Sequence, residues 1–500
     1  MRKYAPCLSF LRKTAKTMKR LLALGLLLFL LIPLSATQYL TLEKALEIAF
    51  ANSPSIKEAF YRLETSQQNL KAQQAGLKSQ FNLSLTPLTL SNTRTFSDLT
   101  SRYNYQDLTK SEARFSITQP IKWTDGTLTV SNRFNWQEAS SSFTGGVKQG
   151  TYNNSLTLRF SQPVFTYNRT MLQVNELERA LEGAQLNYAI QKLQIERQVT
   201  QQFLNLFYYR ESVKIAEEDF KNSEESYQII ESKVKAGISA PGELYQADVT
   251  RLNSQASLEN KQTQYENAMD SFKILLGVSL DEEIEVVTDI RKKLVEVDLQ
   301  KAIENGLEHR MELRQQDIAI QNALDDLIKA GALNEFKASV DLSLGLTGVN
   351  ESFRNVYESS DVDKQVAISL NIPIFDWGQK KHVLAASQAQ VDTQKLSSLE
   401  ERKQIQFEIR QAYRSLQNQT RQIEIAEKNI KNAQLTYDIN LERYKNGDLS
   451  SKDMQFYQLQ LSESKLNEVS ALISYKLALL DIKIRSLWDF ETNSSIMVKL

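Results

Sequence analysis

Residues 379–446 contain neither glycine nor proline, and Gly447 is the only glycine after Gly378. Those 68 residues, free of both helix breakers, admit a single helix about 100 Å long at 1.5 Å per residue. Within that run Ile409, Ala412, Leu416, Gln419, Ile423, Ala426, Ile430, Ala433, Tyr437, Asn440 and Tyr444 step by three and four, with apolar or aromatic residues at nine of the eleven positions. A rhythm kept over five heptads is a coiled-coil seam. A seam that narrow buries little of so long a helix, so the chain must supply partner helices and a means of reversing direction.

Both come from an internal duplication, which is read before any local feature. Leu42, Lys44, Ala45 and Glu47 recur as Leu299, Lys301, Ala302 and Glu304, at an offset of 257. SQPVF (161–165) lies over NIPIF (371–375) at an offset of 210, as do IAE 215–217 over 425–427, Tyr227 over Tyr437 and KAG 235–237 over KNG 445–447. The change of offset leaves about 47 extra residues in the first copy. Its seam runs through Val199, Gln202, Leu206, Tyr209, Val213, Ala216, Phe220, Ser223, Tyr227, Ile230 and Val234, and Gly237 is the twin of Gly447. The expected organisation is a first repeat over 37–277, a linker over 278–297, a second repeat over 298–490 and a tail over 491–500. In the first repeat a helix over 54–80 precedes strands within 81–163, a long helix over 168–236 and a return helix over 242–276. In the second, a helix over 310–337 precedes strands within 338–373, a long helix over 379–446 and a return helix over 449–487. In each repeat the two shorter helices together match the long one in length, which suggests antiparallel pairs turning at the glycines.

The strand signals alternate with period two. Val340, Leu342, Leu344 and Leu346 fall on one face of 338–346, and Val366, Ile368, Leu370 and Ile372 on one face of 366–372. The first repeat has four such segments, 81–90, 112–122, 127–137 and 152–162. Polar stretches at 93–110 and 139–151 read as long loops, and WTDG (123–126) reads as a tight turn. This pattern fits a membrane barrel strand, apolar toward lipid and polar toward water, and it fits a soluble sandwich strand equally. The extra residues amount to one added hairpin, inside or outside such a barrel.

Lys19 and Arg20, the apolar run 21–32 and the small residues Ser35 and Ala36 have the form of a secretory signal peptide over 1–36. The run is too short to span ~30 Å of hydrocarbon as a helix. Cys7, the single cysteine, lies ahead of it, so an exported chain has neither disulfides nor thiolate metal sites. Sixty basic and 60 acidic residues give no net field for nucleic acid. His309 and His382 are the only histidines and neither has ligands at metal spacing; no nucleophile motif, phosphate-cradling loop or dinucleotide fingerprint occurs. The sequence therefore implies no enzyme, cofactor or metal. Trp123, Trp136 and Trp377 near strand ends suit either an interfacial belt or core packing.

Duplicated halves of this make-up resemble the TolC-like outer membrane efflux family, over essentially all of 40–490. The most specific segments are NIPIFDWGQKKHVLAASQAQ (371–390), similar to the family's strand-to-long-helix junction, and RYKNGDLSSKDMQFYQ (443–458), similar to its periplasmic tip. The resemblance implies a mixed α+β membrane protein: a homotrimer in outer-membrane lipid whose long antiparallel coiled-coil helices form a periplasmic α-helical barrel. A shared transmembrane antiparallel β-barrel, with four to six strands per protomer, tops it. It implies a passive exit duct for efflux or type I secretion, opened at its tip by a periplasmic adaptor (membrane fusion) protein and an inner-membrane transporter. At that tip the family gathers tyrosines and acids into a polar gate with carboxylate rings. Here Tyr444 matches the tip tyrosine, Asp453 the first ring aspartate, and Glu243 an acidic partner. Gly237, Ile238, Gly447, Asp448 and Leu449 match the turns where the adaptor docks. Leu449 replaces a basic network residue and Phe456 a second ring aspartate, so one carboxylate ring beside an aromatic constriction is expected. Asp453 also suits a helix cap, and the two roles are compatible. The rival reading is a soluble periplasmic coiled-coil scaffold with no pore.

Overall fold

The computed structural model of the protein describes residues 38–98, 101–141, 145–287, 292–358 and 360–496. The expected signal peptide, part of the linker and the last four residues of the tail lie outside the described residues. The chain divides into two compact units. One comprises the residues up to Pro54 with 195–294 and 419–477; the other comprises 55–194, 295–418 and 478–500.

The second unit holds a six-stranded antiparallel sheet of β2 (Gln80–Ser97), β3 (Arg102–Ile121), β4 (Gly126–Ser141), β5 (Gln149–Val164), β7 (Lys337–Asn350) and β8 (Ser360–Asn371), in that order. The sheet is continuous from the first repeat into the second through β5 and β7, which pair from Tyr152 with Asn350 to Val164 with Ala338. Pro87 sits on edge strand β2, where its missing N–H costs no ladder bond, and the register slips between Thr86 and Thr89. That bulge returns Leu88 and Leu90 to the face occupied by Leu83 and Leu85.

Two expectations about this sheet fail. The stretches 93–110 and 139–151 are not long loops: β2 runs to Ser97 and β3 starts at Arg102, while β4 runs to Ser141 and β5 starts at Gln149. Polar side chains there pair across strands, as in the 2.5 Å bond from Asn92 Nδ2 to Asp107, and the Arg94 guanidinium lies 4.0 Å from the Tyr103 ring centroid. Cross-strand pairs of this kind sustain a ladder that hydrophobic alternation does not announce.

The same unit contains α2 (Pro54–Gly76), α5 (Leu299–His309) and α6 (Met311–Gly331). The two helices expected over 54–80 and 310–337 therefore end earlier, at Gly76 and Gly331. Asp298 starts α5 by accepting from the N–H groups of Gln300 and Lys301 at 2.8 and 3.3 Å. Gly306 lies so close to its neighbours that an added Cβ would meet the tip of the Ile409 side chain and come within 3.3 Å of the Arg485 carbonyl oxygen, so any larger residue would have to displace Ile409. Ala302, Ile303, Leu313, Ile405 and Ile409 form the core there. Beside it Glu408 accepts from Arg310 Nη1 and pairs with Arg485 Nη1, both at 2.8 Å. Burial pushes the Glu408 carboxyl up, but these guanidiniums prevail and hold it below the usual range.

The first unit contains β1 (Gln38–Leu40) paired in parallel with β6 (Ile284–Val286), α1 (Leu42–Asn52) and α4 (Pro241–Leu276). The helices α3 (Arg169–Lys235), α7 (Gln379–Asn446) and α8 (Ser451–Ser486) contribute residues to both units. All the seam positions on α3 and α7 are buried or half-buried, and none is exposed. At α7's start Asp376 accepts from the N–H groups of Gly378 and Lys380 at 2.9 and 3.0 Å. Two short strands, β9 (Trp488–Asp489) and β10 (Ser494–Ser495), follow α8. Among the described residues no helix is long and apolar enough to cross a membrane.

Candidate functional site

The chain reversals at the ends of α3 and α7 have one architecture. Gly237 (φ +71°) donates to the carbonyl of Val234 at 3.0 Å while Ile238 donates to Lys233 at 2.9 Å. Gly447 (φ +89°) donates to Tyr444 at 3.1 Å while Asp448 donates to Arg443 at 2.9 Å. Each is a Schellman closure, which satisfies the last helix carbonyls and requires a left-handed residue. A Cβ at either glycine would meet nothing within 4 Å. Backbone conformation, not space, therefore requires glycine at both turns.

The next helices begin differently. Pro241 opens α4 with its φ preset, and Ala240 before it offers no side-chain cap. At α8, Ser450 Oγ accepts from Asp453 N–H at 3.2 Å and donates to the Asp453 carboxylate at 2.7 Å. Glu243 and Asp453 hold the same position in their helices, in the first turn where an anion meets the positive end of the helix dipole, and both are exposed.

The expected gate residues thus separate into two sets. Tyr444 is 3% exposed and packs with Ile230, Ala247 and Met454, one residue from each of the four helices, with Leu449 against the same cluster. Its hydroxyl is buried without a hydrogen-bond partner, and Lys233 Nζ lies 5.7 Å from its ring centroid. Ile238, Glu243, Asp448, Asp453 and Phe456 face outward. Ile238 and Phe456 are 75% and 62% exposed, large for apolar side chains.

A polar contact that no motif announces lies along the same helices. Asp219 of α3 accepts from Ser462 Oγ at 2.7 Å and Gln458 Nε2 at 3.2 Å, both from α8. Burial raises its pKa, against the opposing effect of those two hydrogen bonds and of nearby Lys465. The heptad rhythm places Asp219 beside the seam, but only the neighbouring helix half-buries it. Among the described residues, no cluster of three or more His, Cys, Asp or Glu side chains is placed to hold a metal.

The sheet of the other unit has two chemically opposite faces, because successive side chains alternate. One rung runs Leu83, Phe115, Asn132, Leu156, Leu346, Val362 across all six strands. The next runs Phe81, Ile117, Val130, Leu158, Leu344 and ends at Lys364. Leu83, Phe115, Leu156, Leu158, Leu346 and Val362 are exposed, forming an open apolar face. On the opposite face one rung reads Ser84, Arg114, Arg133, Ser155, Thr347, Asp361. Glu112 pairs there with Lys110 at 2.6 Å, Arg114 at 2.9 Å and Arg133 at 3.5 Å. Among the described residues no strand pairs with the outer edge of β2 or of β8.

The sequence model of a family described as outer membrane efflux protein matches residues 127–278 and 302–483, about two thirds of the chain. No curated protein matches by sequence. The fold is similar to that of the Campylobacter jejuni CmeC outer membrane channel, with TM-score 0.68 and 15% identity over 91% of this chain and 86% of that one. It is also similar to VceC of Vibrio cholerae, with TM-score 0.66 and 15% identity over 89% and 95% of the two chains. The open-state MtrE outer membrane channel of Neisseria gonorrhoeae gives TM-score 0.64 and 15% identity over 89% and 88%.

Proposed function

Because the chain belongs to the outer membrane efflux protein family, and so to the outer membrane, we propose that it is a passive trimeric duct, carrying solutes out through that membrane without chemistry of its own. The observation that carries this reading is the sheet: exposed apolar rungs on one face, charged and hydroxylated rungs on the other, and both edges unpaired among the described residues. A soluble sheet would cover its apolar face, whereas a barrel wall presents that face to lipid and the polar face to water. Six strands cannot close around water, so further copies of the chain complete the wall.

The helices support the same assembly. Ile425, Leu435 and Ile439 of α7, whose seam is already filled, and Tyr245, Val249 and Leu252 of α4 are exposed apolar side chains. Neighbouring copies cover them in a ring of helices. On this reading, and as the family resemblance of the sequence implies, a periplasmic adaptor and an inner-membrane transporter engage the tip. Ile238, Asp448 and the two glycine turns form the docking knuckles. Asp453, with Glu243, forms the cation-attracting ring, Phe456 the adjacent constriction, and Tyr444 with Leu449 the packed cluster that holds the tip closed.

Cell fractionation tests this. The duct is recovered as a heat-resistant trimer from outer membrane only with detergent; release with soluble periplasm as a detergent-independent species would establish the scaffold instead.

A further inference from the structure

The first repeat contributes four strands to the sheet and the second only two. β2 and β3 lie ahead of the first residue that the family model matches, so their role is not fixed by that match. Three observations fix their place. The strands are fully laddered: β3 pairs with β4 over sixteen consecutive residues, from Gln106 with Ser141 to Ile121 with Gly126. The apolar rungs also pass through both strands without changing face, so Phe115, Ile117 and Val130 continue the surface made by Leu158 and Leu344. From Phe81 to Leu90 the apolar face of β2 extends about 30 Å along the strand, which at a barrel tilt of ~35–45° projects to roughly 21–25 Å, close to the ~25 Å height of an apolar band. The third observation is direction. With six antiparallel strands in sequence, β2 and β8 run opposite ways, so β2 of one copy meets β8 of the next as an antiparallel pair. Leu83 and Val362, the two ends of one rung, carry the same apolar face to both edges.

We propose that all six strands belong to the membrane wall, so that three copies close an eighteen-stranded barrel, β2 of each copy pairing with β8 of its neighbour. This rests on the trimeric duct reading and sharpens it. Barrel diameter grows roughly linearly with strand number, so the pore is about half again as wide as twelve strands would give, within the range that leaves an aqueous channel. The Lys110, Glu112, Arg114 and Arg133 cluster then lines that channel, repeated three times around it.

The test uses single cysteines in the full chain, with Cys7→Ser, labelled with bimane and reconstituted in brominated phosphatidylcholine vesicles. Phe115→Cys and Val130→Cys are expected to lose as much fluorescence as Leu158→Cys and Leu344→Cys, while Ser131→Cys keeps its signal. Ile117→Cys and Leu128→Cys replace any variant that fails to form the trimer. In the same background, Leu83→Cys combined in turn with Val362→Cys, Lys364→Cys, Val366→Cys or Ile368→Cys is expected to give copper-catalysed dimers and trimers on denaturing gels for at least one pair. Quenching at 158 and 344 but not at 115 or 117 would put β2 and β3 outside the wall and overturn the eighteen-stranded barrel while leaving a narrower duct, whatever is found at 128 and 130 on β4. Quenching at all positions with no β2–β8 cross-link would overturn the closure. Absence of quenching everywhere would instead sink the duct reading itself.

Discussion

The turns at Gly237 and Gly447 reverse the chain in the same way, yet the helices that leave them start by different means and present different surfaces. Both use a glycine at positive φ and the same pair of carbonyl-capping bonds. Thereafter α4 relies on Pro241, whereas α8 relies on Ser450 and Asp453. Duplication preserved what the backbone demands. The side chains just beyond the turn were free to diverge, and the expected constriction residues Asp453 and Phe456 lie there.

The strongest challenge to this comparison is the cluster the two turns share. Ile230→Ala in the first repeat and Met454→Ala in the second should each lower the opening free energy of both turns by roughly 2–5 kcal/mol, read by hydrogen exchange at 230–250 and 440–460. Loss of protection at only one turn would mean that the two are independent.

Gly237→Ala and Gly447→Ala should cost about 1–2 kcal/mol each, and equally, because both positions are spatially open and only the left-handed conformation is penalised. Unequal costs in the same exchange measurement would show that one turn is held by something beyond its backbone.

Ser450→Ala should weaken the start of α8 by about 1 kcal/mol, whereas Ala240→Ser should leave α4 unchanged or slightly firmer. If Ser450→Ala leaves exchange in the first turn of α8 unaltered, the capping pair is not what starts that helix.

The smallest effect concerns pH. The Asp219 carboxyl has a folded-state pKa above its unfolded value of ~3.9, so the folded helices hold its proton more tightly. That contribution is present below the unfolded value and is lost as pH rises through the folded one. Protection along 215–225 and 455–465 should therefore decline as pH rises across that window, after correction for intrinsic exchange. Asp219→Asn retains an acceptor for Ser462 and should flatten the decline; an unchanged slope would exclude Asp219 as its source.

The parts of the molecule legible in the sequence are those governed by a period or by a forbidden conformation. The 3–4 rhythm marks the seam because burial repeats with the helix, and the glycines mark the turns because no other residue reverses a helix so cheaply. Period-two apolar runs locate the strand centres. Their outer ends, such as Arg94 with Tyr103 and Asn92 with Asp107, stay hidden because polar cross-strand pairs carry no periodic signal. Pro87 falls inside the 81–90 segment read as a strand, and the bulge beside it is what accommodates it there. Tyr444 lies on the seam itself and its burial follows the rhythm, whereas Asp219 has the sequence context of a surface helix residue beside the seam and only the neighbouring helix half-buries it. Gly306 is a helix-weakening residue in sequence and a close crossing in space.

The central claim, a passive duct narrowed at its tip, meets its most direct test in planar bilayers. The purified trimer, with no adaptor, transporter or energy source, should give small discrete conductance steps, and Asp453→Ala combined with Tyr444→Phe should change their size and cation preference. A heat-resistant trimer that inserts yet gives no steps, or steps indifferent to the double substitution, would contradict it.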